Sequence, residues 1–401
     1  MDEDSGSGSA TPGPTRNSCL NALTIALNET CDGKSWCTST KQLQLASLEL
    51  CIACRTYKTM HLNVDARIPR GLLAGADPLS PHPKRLGSTR VPRLRVRSVT
   101  WNMPTAAELS TPIFAITGVD SLEFGHAFED SLEAVAWPRR LKNIKFHYDS
   151  PFNQSIELVK WPESLQTLQL RSKFNQPIGL EHWPASLHTI MLGVRWNHPI
   201  EDVTWPPSVR QLTFGTDFNQ PIERAMFPAL LETLAFGMKF NHPIEGTVWP
   251  DSVERLVFGW HFNQPVDNVR WPASLQELTF GSNRTNPRDG LTMLFSTFNQ
   301  RIGSSVWPAS LRRLTLGGDS FRQSLEGLGI WMPNLETFHY IDYRRSSGLN
   351  LLRGVQWPTG LRQLTVCMES SIDGVVIPQT VEVLHLHSES TRTDLAFFFP
   401  L

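Results

Sequence analysis

The chain has 401 residues, 40% of them hydrophobic and 19% charged, with a formal net charge of −1. Near-neutrality argues against bulk binding to nucleic acid or to a membrane surface. No apolar stretch approaches the roughly 18 residues that a membrane-spanning helix needs.

The start, Met1-Asp2-Glu3-Asp4-Ser5-Gly6, lacks the basic head and apolar core of a secretory signal, so the cytoplasm, or the nucleus, is the expected compartment. Residues 1–16 are rich in Ser, Gly and Pro and read as a disordered tail. Residues 17–62 are expected to form a helical segment, with helix-like runs near Leu20–Asn28 and Thr40–Tyr57. Five of the six cysteines fall before residue 55 (Cys19, Cys31, Cys37, Cys51 and Cys54). In a chain without a secretion signal a disulfide framework is disfavoured. Cys31, Cys37, Cys51 and Cys54 loosely resemble a zinc set, but only Cys51 and Cys54 are closely spaced, and on a helix they pack as small apolar residues. No metal or other cofactor is therefore expected. Residues 63–92 hold several prolines and glycines and read as a linker. The basic run Lys84, Arg85, Arg90, Arg93, Arg95 and Arg97 reads as solvated chain leading into the first strand, with a nuclear signal as the competing reading.

From residue 93 to 401 the chain is repetitive. Phe-Asn-Gln-Pro or a variant begins at Phe152, Phe174, Trp196, Phe218, Phe240 and Phe262, a pitch of 22 residues. A Trp-Pro pair keeps the same beat at Trp161, Trp183, Trp205, Trp249 and Trp271, with Phe227-Pro228 in the open slot. A fixed period of this length marks stacked coils. Within a unit, Leu212-Thr213-Phe214 alternates as a short strand and Gly215 is expected to turn the chain with positive φ. Pro221 and Pro228 exclude a helix across the back of the coil. The fold expected is a β-rich solenoid of about eleven coils with a parallel sheet. After Trp271 the next Trp-Pro is Trp307, an interval of 36, so 14 extra residues are inserted at 282–295.

The unit Trp-Pro-x-Ser-Leu-x-x-Leu-x-Phe-Gly-x-x-Phe-Asn-Gln-Pro-Ile resembles the FNIP repeat, a leucine-rich-repeat relative, over roughly residues 115–385. Trp stands where that family usually has Leu before Pro, which implies a bulkier core. The resemblance implies a protein-interaction scaffold and brings no catalytic residues. Some members carry an extra N-terminal module such as an F-box.

Each candidate site has a plain structural reading beside it. The Trp ladder suggests carbohydrate stacking, but one Trp per coil at a fixed slot is first a core stack. The Asn ladder (Asn153 to Asn299) is read as satisfying turn amides. His198 and His242 lie two coils apart, about 10 Å at a strand spacing of about 4.8 Å, too far to share a metal. Partner-binding candidates are the charges beside the strands, Arg210, Glu232, Glu254, Arg312, Glu336 and Arg362, together with Arg288 in the insertion. Their chemistry varies from coil to coil while the core slots stay fixed, which suits recognition of an extended partner. The expected function is a monomeric, non-catalytic scaffold binding a protein of unknown identity through the strand face. A ubiquitin-ligase adaptor with a degenerate F-box at 18–62 is the alternative, and a β-helix enzyme acting on a polysaccharide the distant one.

Overall fold

The structure, a computed structural model, describes residues 60–64, 96–102, 104–106, 119–171, 173–179, 183–285, 292–318, 320–342, 351–368, 374–388 and 393–398. The expected disordered tail, most of the expected helical segment and most of the linker lie outside these residues.

A strand stands at the boundary of the expected helical segment and the linker. This is β1 (Met60–Val64), which pairs in parallel with β2 (Val96–Trp101). One short strand per coil follows: β3 (Ser121–Phe124), β4 (Asn143–Phe146), β5 (Thr167–Gln169), β6 (Thr189–Met191), β7 (Gln211–Thr213), β8 (Thr233–Ala235), β9 (Arg255–Phe258) and β10 (Glu277–Phe280). The insertion is a hairpin of β11 (Ser282–Thr285) and β12 (Thr292–Phe295). Beyond it come β13 (Arg313–Gly317), β14 (Thr337–Asp342), β15 (Gln363–Met368), β16 (Val383–Ser388) and β17 (Thr393–Phe398). All but β11 and β12 form one 15-stranded sheet in chain order. Its pairs are parallel except the last, β16 with β17, which is antiparallel. β10 pairs directly with β13, Leu278 opposite Leu314, so the hairpin leaves the solenoid without breaking the ladder.

The alternation read from the sequence decides which side chains enter the coil. The middle strand residue is buried in each, from Leu122 through Leu212, Leu234 and Leu256 to Leu384. Phe218 and Ile222 close the same core from the far side, both fully buried. A coil is too thin to shield these groups alone, so burial is shared with both neighbours, as expected of stacked repeats. Aromatic rings record the stacking: Phe218 on Phe240 at 6.0 Å and Phe240 on Phe262 at 5.9 Å with parallel planes.

The Asn ladder is a hydrogen-bonded column. Asn219 Oδ1 accepts from the backbone N–H of Asn241 at 2.9 Å, and Asn241 Oδ1 from that of Asn263 at 2.9 Å. The series crosses the insertion, Asn299 N–H donating to Asn263 Oδ1 at 2.8 Å. His198 and His242 belong to this column as well: each Nε2 lies 3.1 Å from the carbonyl of Asn175 or Asn219. A carbonyl only accepts, so Nε2 carries the proton and is committed to the neighbouring coil.

Two expectations need correction. Gly215 does not have positive φ; among the described glycines that conformation occurs at Gly281, Gly317, Gly318, Gly354 and Gly374. Glycine is required at 215 by contact: a Cβ there would stand 1.7 Å from the Gly193 carbonyl oxygen, and at Gly237 1.6 Å from that of Gly215. Among the described residues the back of the coils follows the proline argument, except for one helical turn, α1 (Leu328–Trp331). In that coil Leu325 and Met332 stand seven positions apart, where Ile244 and Trp249 stand five apart, and the two extra residues accommodate the turn before Pro333.

Candidate interaction surface

Arg210, Glu232, Glu254, Arg312, Glu336 and Arg362 occupy one slot, the residue just before β7, β8, β9, β13, β14 and β15. Its backbone carbonyl accepts two N–H groups of the next coil: Arg210 O takes those of Glu232 at 2.8 Å and Thr233 at 2.9 Å. This doubled contact holds neighbouring slots in register, so each side chain meets the same slot one coil on. The charges then pair among themselves. Arg210 bonds Glu232, Arg312 Nε lies 3.3 Å from Glu336, and Arg362 Nη1 lies 3.3 Å from Glu382. Glu254 has no ion-pair partner among the described residues. Arg288 lies outside the described residues.

The next slot carries a second network that the sequence reading missed. Glu277 is held between Arg255 at 3.1 Å and Arg313 at 3.3 Å. The signal was present, since 255, 277 and 313 share a slot once the insertion is skipped. Exposed pairs of this kind contribute about 0–1 kcal/mol each. They fix side-chain geometry more than they stabilise the fold.

The outward strand column runs through Thr213, Ala235, Val257, Thr279, Thr315, His339, Thr365 and His385, all half-buried except Thr279, which is buried. Burial lowers the His339 pKa below the ordinary imidazole value and the nearby His385 charge adds to this, while Glu277 opposes both. Thr365, one strand away from each histidine, has a buried hydroxyl without a partner among the described residues. Among the described residues no three His, Cys, Asp or Glu side chains converge as metal ligands.

The hairpin is anchored by an aromatic contact outside the regular beat: Phe295 of β12 packs on Trp260 with ring centroids 4.7 Å apart. The Trp column itself is mostly internal, with Trp137 on Trp161 at 5.8 Å and Trp271 on Trp307 at 5.3 Å. Trp161, Trp205, Trp249 and Trp307 are each at most 8% exposed, which leaves no open ring face on them for a sugar.

These features define a parallel β-solenoid of the leucine-rich-repeat kind. More narrowly, residues 196–239 and 240–283 match the FNIP Repeat family. Among solved structures it is similar to CroV588, described as a novel circular LRR protein, at 29% identity and a TM-score of 0.55. That match covers 73% of this chain and 43% of CroV588, so the chain spans less than half of that protein's length. A TLR13–ssRNA13 complex also matches, at 14% identity and a TM-score of 0.44, covering 81% of this chain and 53% of that one. No curated protein matches the chain. No helix among the described residues is long and apolar enough to cross a membrane.

Proposed function

We propose that this chain is a non-catalytic interaction scaffold that holds a protein partner against the outward strand face and its bordering charge columns. One observation carries the reading. Every coil solves the same packing problem with the same core residues, yet the strand-face slots change from Thr to Ala, Val and His and the bordering slots from Arg to Glu. Packing does not require that variation, and a long regular face of changing chemistry suits an extended protein segment. The repeat family and the similarity to a leucine-rich-repeat protein support the same reading.

The ion pairs supply a test that separates recognition from packing. Exchanging partners (Arg210→Glu with Glu232→Arg, and Arg312→Glu with Glu336→Arg) preserves both pairs while inverting the charge order of the column. Affinity capture with the full chain, read by mass spectrometry, should identify a protein that the exchanged variant no longer retains. Retention of the same protein at the same level by the exchanged variant and by a second variant carrying Thr213→Glu and Thr233→Glu would overturn the proposal.

A further inference from the structure

The back of the solenoid, away from the strand face, has its own anomaly. The residue preceding the Trp-Pro pair is polar or charged in several coils, as at Lys160, Thr204 and Arg270, but it is Met226, Val248 and Val306 elsewhere. Those three side chains are 70%, 76% and 83% exposed. A fourth departure lies beside them. Ser186, Ser208, Ser252 and Ser310 each donate a hydroxyl to a carbonyl of the preceding coil, at 2.7 to 2.8 Å for Leu165, Leu187, Leu231 and Leu275. At the equivalent slot Leu230 makes no such bond and is 47% exposed. Folding needs none of these apolar residues, since neighbouring coils build the same turn without them.

The stacking of Phe227 on Trp249 at 6.0 Å brings the preceding slots, Met226 and Val248, side by side. From Val248 the row continues past Arg270 to Val306, where a groove of about 620 Å³ opens, lined in part by Asp267, Arg270 and Val306. The border is acidic on balance, with Arg224 and Arg270 standing among its carboxylates. Glu201, Glu223, Glu245 and Asp267 share the slot after the buried Ile or Val, and none has an ion-pair partner among the described residues. Glu223 reaches the next coil, its Cγ 3.7 Å from where a Cβ on Gly246 would stand, and Asp267 accepts a bond from Ser304. The strand-side columns, by contrast, mix both signs, and most of their charges are paired.

We propose that this stripe is a second docking surface, and that its occupant is an amphipathic helix of a partner protein with an apolar face bordered by lysine and arginine. Spacing selects a helix over a strand. Met226, Val248 and Val306 stand at zero, one and three coil steps; the rings beside them are 6.0 Å apart from Phe227 to Trp249 and 5.3 Å from Trp271 to Trp307, which puts the three at about 0, 6 and 17 Å. Helix positions i, i+4 and i+11 rise by about 6 and 16.5 Å and fall on one face, whereas same-face strand residues, about 6.8 Å apart, miss the last step. Apolar side chains at least 70% exposed that recur in one column of the back mark a contact surface there, and the unneutralised carboxylates select a cationic rim.

The experiment titrates the full chain into a labelled helical peptide of about eighteen residues made only of leucine and lysine, and into its leucine–glutamate counterpart, by fluorescence anisotropy. The lysine peptide should bind at least about tenfold tighter than the glutamate one, with affinity falling as salt rises. The variant Met226→Thr/Leu230→Ser/Val248→Thr carries the residues that other coils use, and the hydroxyl introduced by Leu230→Ser can regain the bond to the preceding coil. It should melt no lower than the parent and bind the lysine peptide about tenfold more weakly. Glu223→Gln/Glu245→Gln/Asp267→Asn should lose the salt dependence, an independent reading if the first variant does not fold. Equal binding by parent and both variants overturns the proposal, as does equal affinity for the two peptides. A dimer of the parent chain in sedimentation that the first variant dissolves would assign the stripe to a second copy and likewise overturn it.

Discussion

Trp249→Phe removes an indole N–H that is buried with no hydrogen-bond acceptor, a condition it shares with Trp137, Trp161, Trp183, Trp205 and Trp271. The loss of roughly 40 Å² of apolar area should cost about 1 kcal/mol. Against this, an unsatisfied buried donor costs about 1–3 kcal/mol, and the substitution relieves it. The net change should lie between about zero and about 2 kcal/mol of stabilisation. Phe227 already fills this slot one coil earlier and stacks on Trp249 at 6.0 Å with planes 9° apart, so the ring fits. Trp307 is the contrasting case, because its Nε1 donates to the Ile302 carbonyl at 2.9 Å. Trp307→Phe loses the same area, loses the bond and strands a buried carbonyl, for a cost of about 2–3 kcal/mol. Urea unfolding followed by circular dichroism compares the two, and amide hydrogen exchange in the affected coils guards against local unfolding that a global midpoint would hide. Equal destabilisation by the two substitutions would refute the reasoning, because area alone would then account for both.

Three further outcomes are expected. Gly237→Ala should destabilise by about 3 kcal/mol in urea unfolding, because its Cβ meets backbone rather than a movable side chain; Gly360→Ala, with nothing within 4 Å, should be neutral or slightly stabilising in the same measurement. Asn241→Ala deprives the Asn263 N–H of its acceptor and leaves Gln264 Nε2 only the Asn241 backbone carbonyl, and should cost about 1–2 kcal/mol, while Asn241→Asp, which keeps the side-chain acceptor, should cost measurably less. His339 has a lowered pKa in the folded chain, so between that value and about 6.5 the unfolded chain binds more protons and stability falls as pH falls. His339→Thr, the residue other coils place there, should flatten the decline in melting temperature between about pH 7 and pH 5; an unchanged slope would show that His339 does not carry the effect.

Much of the fold was legible because one physical problem is solved repeatedly along the chain. The 22-residue beat, the alternation at Leu212-Thr213-Phe214 and the prolines at 221 and 228 together specify short strands, stacked coils and an extended back. What the sequence hid depends on contacts between coils. Gly215 looked like a turn residue when considered alone; only the Gly193 carbonyl beside it reveals a steric requirement. The terminal strand β17 runs against its neighbour, and nothing in a repeat pattern announces a reversal of direction where the pattern ends. The insertion at 282–295 could be counted from the spacing, but the antiparallel pairing of its arms and the seat of Phe295 on Trp260 could not.

The candidate charges show the same division. Sequence alone identified Arg210, Glu232, Arg312, Glu336 and Arg362 as one variable column, since a fixed period assigns each residue to a slot. The tertiary structure decided that these charges turn largely toward one another, because the doubled hydrogen bond from each slot carbonyl brings consecutive slots within ion-pair reach. It also decided that Met226, Val248 and Val306 lie exposed in a row with an acidic border, although they stand 22 and 58 residues apart in the chain. Periodicity, being local, tells which residues are equivalent. Which of them touch, and which stay free for a partner, depends on how the coils stack.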